Sequence, residues 1–231
     1  MNVSALIVAA GKGMRMQSSV PKQYILINNN PIISITLKVF DSCDIIDSIC
    51  LVAPKDDFSY LNELIIPPLK LKKKIQLIEG GDERQESVYN GIMHLNNKDG
   101  IIVIHDGVRP FITCDFIKSC VKRAEEFGAC ILGLPSSDTL KKINDSNLLI
   151  GETISREHIW MAQTPQAFKY EIIKFAHCLA KENGFKCTDD ASLIEWIGKP
   201  VKILKGSKLN IKITDQDDLM LAKLIMANFI V

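Results

Sequence analysis

Short apolar segments alternate with segments of helical spacing along most of the chain. The first segment, residues 5–10, carries no charge, which is typical of a strand buried on both faces of a sheet. Further strands are predicted at residues 48–53, 75–78, 101–104, 129–134 and 201–204. Helices are predicted at residues 31–40, 58–66, 84–95, 116–127, 189–197 and from 214 onward. This alternation predicts an α/β, Rossmann-like fold: a mostly parallel sheet with helices on both faces.

The alternation stops between residues 135 and 166. There, Lys141-Lys142-Ile143 and Leu148-Leu149-Ile150 flank a turn-forming run, Asn144-Asp145-Ser146-Asn147, which predicts a β-hairpin. Its polar content is too high for a core, and an isolated two-stranded hairpin is only marginally stable in water. We therefore expect a single domain over residues 1–231, with a protruding dimerisation arm at about residues 136–155 that leans on a second subunit.

Composition excludes several classes of protein. The 231 residues carry a formal net charge of +1, whereas general nucleic-acid binders show a strong basic excess. No apolar run reaches the roughly 18 residues of a membrane span, and the first strand begins almost at once, so we expect no leader peptide. Seven cysteines without a Cys-x-x-Cys pair indicate reduced thiols in a cytoplasmic protein.

The loop after the first strand has the chemistry of a phosphate site. Gly11 and Gly13 allow backbone N–H groups to approach a ligand closely, and Lys12, Arg15 and Lys22 supply positive charge. No Walker A run is present, and the third glycine of the dinucleotide fingerprint is missing. The loop favours a triphosphate ligand, and a plain strand-to-helix turn is the alternative.

Two further clusters follow strands at the edge where ligands bind in α/β sheets. In Gly80-Gly81-Asp82-Glu83-Arg84, the glycines expose backbone groups, and Asp82 with the nearby Ser87 could read a base; a turn and helix cap is the alternative. In His105-Asp106-Gly107-Val108-Arg109-Pro110, Asp106 is a natural Mg²⁺ ligand beside bound phosphates, and a loop-capping Asp is the alternative. His105 is interpreted as structural, because no nucleophile or metal ligand is spaced to act with it.

Two weaker clusters complete the candidate site. Arg156 precedes Gln163-Thr164-Pro165-Gln166, and Asn210-Ile211-Lys212-Ile213-Thr214 leads into the last helix. Taken together, the clusters place several cations around the single carboxylate of Asp106: Arg15, Lys22, Arg109, Arg156 and Lys212. Such a set is typical of an anionic reaction centre with a metal rather than of acyl transfer.

The motifs resemble a known family from end to end and in the same order. They are Val8-Ala9-Ala10-Gly11-Lys12-Gly13-Met14-Arg15-Met16, Pro21-Lys22-Gln23-Tyr24, Gly80-Gly81-Asp82-Glu83-Arg84, His105-Asp106-Gly107-Val108-Arg109-Pro110, Thr164-Pro165-Gln166, Thr188-Asp189-Asp190-Ala191-Ser192 and Asn210-Ile211-Lys212-Ile213-Thr214. This set is similar to that of the 2-C-methyl-D-erythritol 4-phosphate cytidylyltransferases. One departure is Gly107, where many members carry Ala.

The resemblance implies an activity: CTP and methylerythritol phosphate give CDP-methylerythritol and pyrophosphate, in the non-mevalonate route to isoprenoids. It implies three catalytic cations: Arg15, Lys22 and Lys212. It implies a nucleotide site at Ala9, Ala10, Gly11, Gly13, Gly80, Gly81, Asp82 and Ser87. It implies a methylerythritol phosphate site at Asp106, Arg109, Thr139, Arg156, Thr164 and Lys212. It further implies Mg²⁺ at Asp106, and a homodimer whose arms carry Thr139 and Arg156 into the neighbour's site.

Two alternative functions remain at this point. Ribitol 5-phosphate cytidylyltransferases share the phosphate loop, the Asp-x-Val-Arg-Pro stretch and Thr-Pro-Gln, although the Ala-Ala-Gly loop and Gly-Asp-Glu-Arg favour the methylerythritol enzyme. A catalytically silent nucleotide-binding module would be expected to have lost Lys22, Asp106 or Lys212, yet all three are present.

Overall fold

The computed structural model describes residues 1–11, 20–95, 100–144 and 148–228. The strands are β1 (Val3–Val8), β2 (Leu26–Ile27), β3 (Asn30–Pro31), β4 (Ser48–Ala53), β5 (Ile75–Glu79), β6 (Ile101–Asp106), β7 (Ala129–Pro135), β8 (Leu140–Ile143), β9 (Ile150–Ile154), β10 (Trp160–Lys169) and β11 (Lys202–Lys205). The helices are α1 (Ile32–Ser42), α2 (Phe58–Tyr60, continued by a π-helical turn over Leu61–Ile65), α3 (Arg84–His94), α4 (Cys114–Phe127), α5 (Tyr170–Glu182), α6 (Asp190–Trp196) and α7 (Gln216–Asn228). Short 3₁₀ turns lie at Lys22–Tyr24, Lys55–Asp57 and Pro67–Leu69. No helix within these described ranges has the length and apolarity needed to cross a membrane.

Seven strands form the central sheet, in the order β11-β7-β10-β6-β1-β4-β5. Neighbouring strands run parallel except at β10, which is antiparallel to both β6 and β7. The mostly parallel α/β sheet predicted from the alternating pattern is therefore confirmed. Because β1 and β6 are parallel and in register, with Val8 opposite Asp106, their carboxyl ends open at the same edge.

Helices bury both faces of this sheet. On one face, α1 and α4 pack on alternate strand residues in a cluster that includes Phe40, Leu51 and Val103. On the other face, α3, α5 and α6 cover a cluster that includes Leu6, Ile104 and Phe168. The strand side chains between these two layers are withdrawn from water, which is why the strands read as continuous apolar runs rather than as alternating ones.

Strand β10 and helix α5 are elements that the sequence pattern did not predict. Pro165 and the polar residues around it argue against a central strand, because proline cannot donate to a ladder. The structure accommodates Pro165 at an irregularity, where the register with β7 shifts between Gln163 and Gln166. Helix α5 does carry a helical spacing, since Ile173, Ala176, His177 and Ala180 are its inward residues.

The predicted arm is a separate two-stranded antiparallel sheet, β8 with β9. Of its predicted turn, residues 144–147, residues 145–147 lie outside the described residues. Apart from half-buried Leu140, the described arm strands are exposed along their whole length, including Ile143, Ile150 and Ile154. On a single chain, these apolar side chains are therefore exposed to solvent.

Candidate active site

A buried carboxylate, Asp106, lies at the carboxyl end of β6 and is only 6% exposed. Three cations contact it. Arg84 Nε lies 3.1 Å from Oδ1, while Lys212 Nζ and Arg109 Nε lie 3.0 Å and 3.4 Å from Oδ2. The sequence had placed Arg109 and Lys212 near Asp106, and the structure brings both into direct contact with it.

These contacts determine the charge of the site. Burial alone would raise the pKa of Asp106, but attraction to Arg84, Lys212 and Arg109 holds that pKa well below its usual range. Asp106 is therefore ionised at neutral pH. Because the cations still outnumber the carboxylate, the edge of the sheet presents an excess of positive charge to an incoming anion.

A small cavity opens beside Asp106 at the end of β1. The described residues lining it include most of the predicted nucleotide set, namely Ala9, Ala10, Gly11, Gly81, Asp82 and Ser87. The predicted catalytic residues Lys22 and Lys212 and the predicted metal ligand Asp106 line it as well. The loops after β1 and β5 meet closely here, since a Cβ on Gly80 would lie 2.3 Å from the Cβ of Ala10. Gly80 is required for that approach. Gly13 and Arg15, assigned to the same site from the sequence, lie outside the described residues.

The Ser87 hydroxyl is hydrogen-bonded within its own loop. Its Oγ accepts a hydrogen bond from the Gly81 N–H at 3.1 Å, and the side chain is 2% exposed. The hydroxyl therefore closes the turn that presents Gly81 and Asp82 to the cavity. Asp82 itself is exposed at the rim, where its N–H donates to Glu86 Oε2 at 2.9 Å.

A buried histidine holds the loop that follows Asp106. The His105 Nε2 lies 3.0 Å from the carbonyl oxygen of Arg109, which can only accept, so Nε2 carries the proton. Nδ1 then accepts from the Thr164 hydroxyl at 3.0 Å, and that hydroxyl accepts from the Asp106 N–H at 3.1 Å. Burial lowers the pKa of His105 to about 4, so the ring is neutral. These contacts agree with the structural role expected from the sequence.

The loop carrying Lys212 is fixed by main-chain contacts. Arg109 Nη1 donates to the Asn210 carbonyl at 2.8 Å, and the Asn210 side chain donates to the Thr164 carbonyl at 2.8 Å. The Ile213 N–H donates to the Val108 carbonyl at 3.0 Å. Lys212 therefore reaches Asp106 from a backbone tied to β10 and to the loop after β6.

A second buried carboxylate, Asp190, was not assigned to the site from the sequence. Arg84 Nη1 donates to Asp190 Oδ2 at 2.8 Å, and His177 Nε2 lies 3.2 Å from Oδ1. Both residues stand in motifs already singled out, Arg84 after the double glycine and Asp190 at the start of α6, but spacing alone could not pair positions 106 residues apart.

A larger cavity also adjoins Asp106. It shares Arg84, Asp106 and Lys212 with the smaller one and is lined in addition by Arg109, Gln163, Thr164, His158 and Trp160. Two spaces therefore meet at one carboxylate and one lysine. This is the geometry expected when two anionic substrates react with each other.

Thr139 and Arg156 lie elsewhere on the chain. Both are exposed at the base of the arm, where Arg156 Nη1 contacts the Ser137 carbonyl. Neither is among the described residues that line the two cavities over Asp106. A single chain does not bring them to its own reaction centre.

Gly107 fits tightly beneath the site. A Cβ there would lie 2.8 Å from Cδ1 of Ile33, 3.1 Å from the Val8 carbonyl oxygen and 3.2 Å from the Cβ of Ala9. In this chain, glycine at position 107 therefore leaves room for the side chain of Ile33.

Known proteins resemble this chain over nearly its whole length. A protein of Syntrophus aciditrophicus (strain SB) named 2-C-methyl-D-erythritol 4-phosphate cytidylyltransferase is 45% identical over 221 residues, covering 96% of this chain and 94% of that protein. One of the same name from Syntrophotalea carbinolica is 43% identical over 224 residues, covering 96% and 95%.

Solved structures agree with the sequence relatives. The crystal structure of 4-diphosphocytidyl-2C-methyl-D-erythritol synthase from Anaerococcus prevotii superposes with a TM-score of 0.84 at 30% identity, covering 98% of both chains. That of the cytidylyltransferase from Francisella tularensis superposes with a TM-score of 0.83 at 30% identity, covering 97% of this chain and 99% of that one. The family described as 2-C-methyl-D-erythritol 4-phosphate cytidylyltransferase matches residues 3–228. The chain belongs to the 2-C-methyl-D-erythritol 4-phosphate cytidylyltransferase family.

Proposed function

We propose that this protein transfers CMP from CTP to 2-C-methyl-D-erythritol 4-phosphate, releasing pyrophosphate. The observation that carries the proposal is the pair of cavities that meet at Asp106 and Lys212. The phosphate oxygen of the second substrate attacks the α-phosphorus of CTP in line. That oxygen is already an anion, so the reaction needs no protein nucleophile, and catalysis consists of positioning and charge stabilisation.

The smaller cavity would hold CTP. Backbone groups of Ala9, Ala10 and Gly11, with the Gly80–Gly81 turn that Ser87 closes, would enclose the nucleotide, and Asp82 would read the cytosine edge. Gly13 is assigned to the same nucleotide site. Lys22 and Lys212 both line the cavity, and with Arg15 they would balance the charge that develops on the phosphates.

Asp106 would hold a divalent cation, with Mg²⁺ the expected ion. An ionised, buried carboxylate is a suitable hard ligand for it, and among the described residues no group of three or more acidic, His or Cys side chains forms a complete metal cage. The protein would thus supply one ligand and the phosphates the others. When bound, the ion would withdraw charge from the phosphates and so stabilise the charge that develops on them.

The larger cavity would hold methylerythritol phosphate. Arg109 is oriented by the Asn210 carbonyl, and Thr164 lies in the same wall, so a phosphate or hydroxyl group could be bound there beside Asp106. We further propose a homodimer, in which the arm of a second copy would bring Thr139 and Arg156 to this cavity. Their exposure at the base of the arm, together with the exposed Leu148, Leu149 and Ile150, supports that arrangement.

We infer a cytoplasmic enzyme without a nucleic-acid partner. All seven cysteines are free thiols, as the composition predicted, and the net charge is near zero.

The deciding experiment offers the purified protein CTP with methylerythritol phosphate or with ribitol 5-phosphate and measures pyrophosphate release. We expect rapid release with the first substrate only. Family membership favours that substrate, whereas equal or faster release with ribitol 5-phosphate would reassign the specificity. An absence of release with either substrate would point to the catalytically silent nucleotide-binding module.

A further inference from the structure

Two buried carboxylates share one guanidinium group. Arg84 donates from Nε to Asp106 Oδ1 at 3.1 Å and from Nη1 to Asp190 Oδ2 at 2.8 Å. Asp190 is 1% exposed, whereas the Arg84 side chain retains 26% of its exposure. The arginine is therefore the movable member of the chain that joins the two acids.

Asp190 is fixed independently of Arg84. Its Oδ1 lies 3.2 Å from His177 Nε2, and its N–H donates to Gln166 Oε1 at 3.1 Å. Gln166 belongs to β10 and His177 to α5, so a central strand and a covering helix both hold this carboxylate. Asp190 stays in place if Arg84 moves.

The arrangement matters because Arg84 and an incoming metal would compete for the same carboxylate. In the described structure Arg84 is the cation on Oδ1, while Lys212 and Arg109 share Oδ2, so a metal–nucleotide complex that binds through Oδ1 competes with Arg84. Arg84 can withdraw Nε and remain paired through Nη1. Without Asp190, the same withdrawal would leave a largely buried guanidinium without a counter-charge, which is strongly unfavourable.

We propose that Asp190 is a positioning residue that anchors Arg84, so that Arg84 can release Asp106 to the metal–nucleotide complex. The proposal rests on the proposed role of Asp106 as the Mg²⁺ ligand. It predicts that loss of the Asp190 charge strengthens the ion pair between Arg84 and Asp106. The gain in CTP affinity that the metal provides should then be smaller.

The test is a calorimetric titration of CTP, without the second substrate, into each variant in Mg²⁺ and again in chelator. The ratio of the two dissociation constants reports the gain in affinity due to the metal. In Asp190→Asn we expect this gain to fall about tenfold, while CTP affinity in chelator changes less than about twofold. In Arg84→Gln/Asp190→Asn the competing cation is also gone, so the gain should return to the wild-type value or exceed it.

Asp189→Asn is the matched control. This neighbouring carboxylate undergoes the same chemical change, but it accepts from Gln166 and Ser192 rather than from Arg84, and Asn is also a good helix cap. Its gain from the metal should equal that of the wild type. An unchanged gain in Asp190→Asn, with circular dichroism showing a folded protein, would overturn the proposal.

Two further variants show what a failed test would mean. If Asp190→Asn does not fold, the double variant still decides, because a gain below the wild-type value would mean that Arg84 assists the metal complex rather than competing with it. Asp106→Asn tests the assumption beneath the proposal. If that variant keeps the full gain from Mg²⁺, the metal assignment itself is wrong.

Discussion

The neutral state of His105 leads to a prediction about stability as a function of pH. His105 is fully buried, and burial lowers its pKa to about 4, whereas an unfolded histidine titrates near 6.5. Between these values the unfolded chain binds more protons than the folded one. Stability from this residue is therefore fully present above about pH 6.5 and is lost as the pH falls towards 4.

The magnitude follows from the size of the shift. Each pKa unit corresponds to about 1.4 kcal/mol, so the full loss is about 3 kcal/mol, of which about 2 kcal/mol is lost by about pH 5. Asp106 and Asp190 have lowered pKa values, so their stabilisation is lost only below the range of unfolded aspartate, near 4. Between about pH 7.5 and pH 5, a loss of stability therefore comes from histidine rather than from these two carboxylates.

The assay is urea unfolding of the wild type and His105→Gln at fixed protein concentration across that interval. Gln can still donate to the Arg109 carbonyl but does not titrate, so the variant should be less stable near pH 7.5 and should show a flatter pH dependence. The stability difference should shrink by about 2 kcal/mol by about pH 5. His94→Gln, which changes an exposed histidine on α3, controls for the general effect of a His→Gln substitution. Parallel curves for the wild type and His105→Gln would refute the assignment of a buried neutral ring.

Four other predictions concern the site and the packing beneath it. Lys22→Ala should lower turnover roughly a hundredfold or more while CTP affinity falls less, since the lysine is proposed to act in the transition state; near-normal turnover would remove it from the mechanism. Calorimetry should find only weak Mg²⁺ binding without CTP, and tight binding would refute a single-carboxylate site at Asp106. Mixed dimers of Arg156→Ala and Lys22→Ala chains should regain up to about half of wild-type activity if the arm completes the neighbour's site, and verified heterodimers without activity would refute sharing. Gly107→Ala should destabilise the fold by about 1 kcal/mol through overpacking, with partial recovery when Ile33→Val makes room; denaturant melts of both variants would measure this.

The sequence predicted most of the fold because buried parallel strands have a strong apolar signal. The strands that begin at Ser48 and Ile101 are where their patterns placed them. Strand β10 and helix α5 were not predicted. The polar residues and Pro165 of β10 resemble a loop when considered locally. They are tolerated because Thr164 and Gln166 bond to groups far away in the chain, namely Asp106 and the start of α6. No local pattern contains that information.

Motif chemistry predicted the candidate site less completely than the fold. Spacing could place Asp106, Arg109 and Lys212 at one edge of the sheet, because each follows a recognisable element. It could not find the Arg84–Asp190 pair, since that contact joins the first residues of α3 and α6, which lie 106 residues apart in the chain. It also assigned Ser87 to base reading, whereas its hydroxyl is engaged in closing the Gly81 turn.

Strand β10 has a mechanical consequence. Its exposed end at Trp160 and Met161 emerges from the arm, and its buried part carries Thr164, whose hydroxyl holds the backbone of Asp106. About 13 Å of extended main chain separates these points. Because the two points belong to one extended strand, we expect a displacement of its outer end to reach Thr164 through the main chain. A small molecule directed at the outer end of β10 could thus alter catalysis without having to enter the cavities beside Asp106.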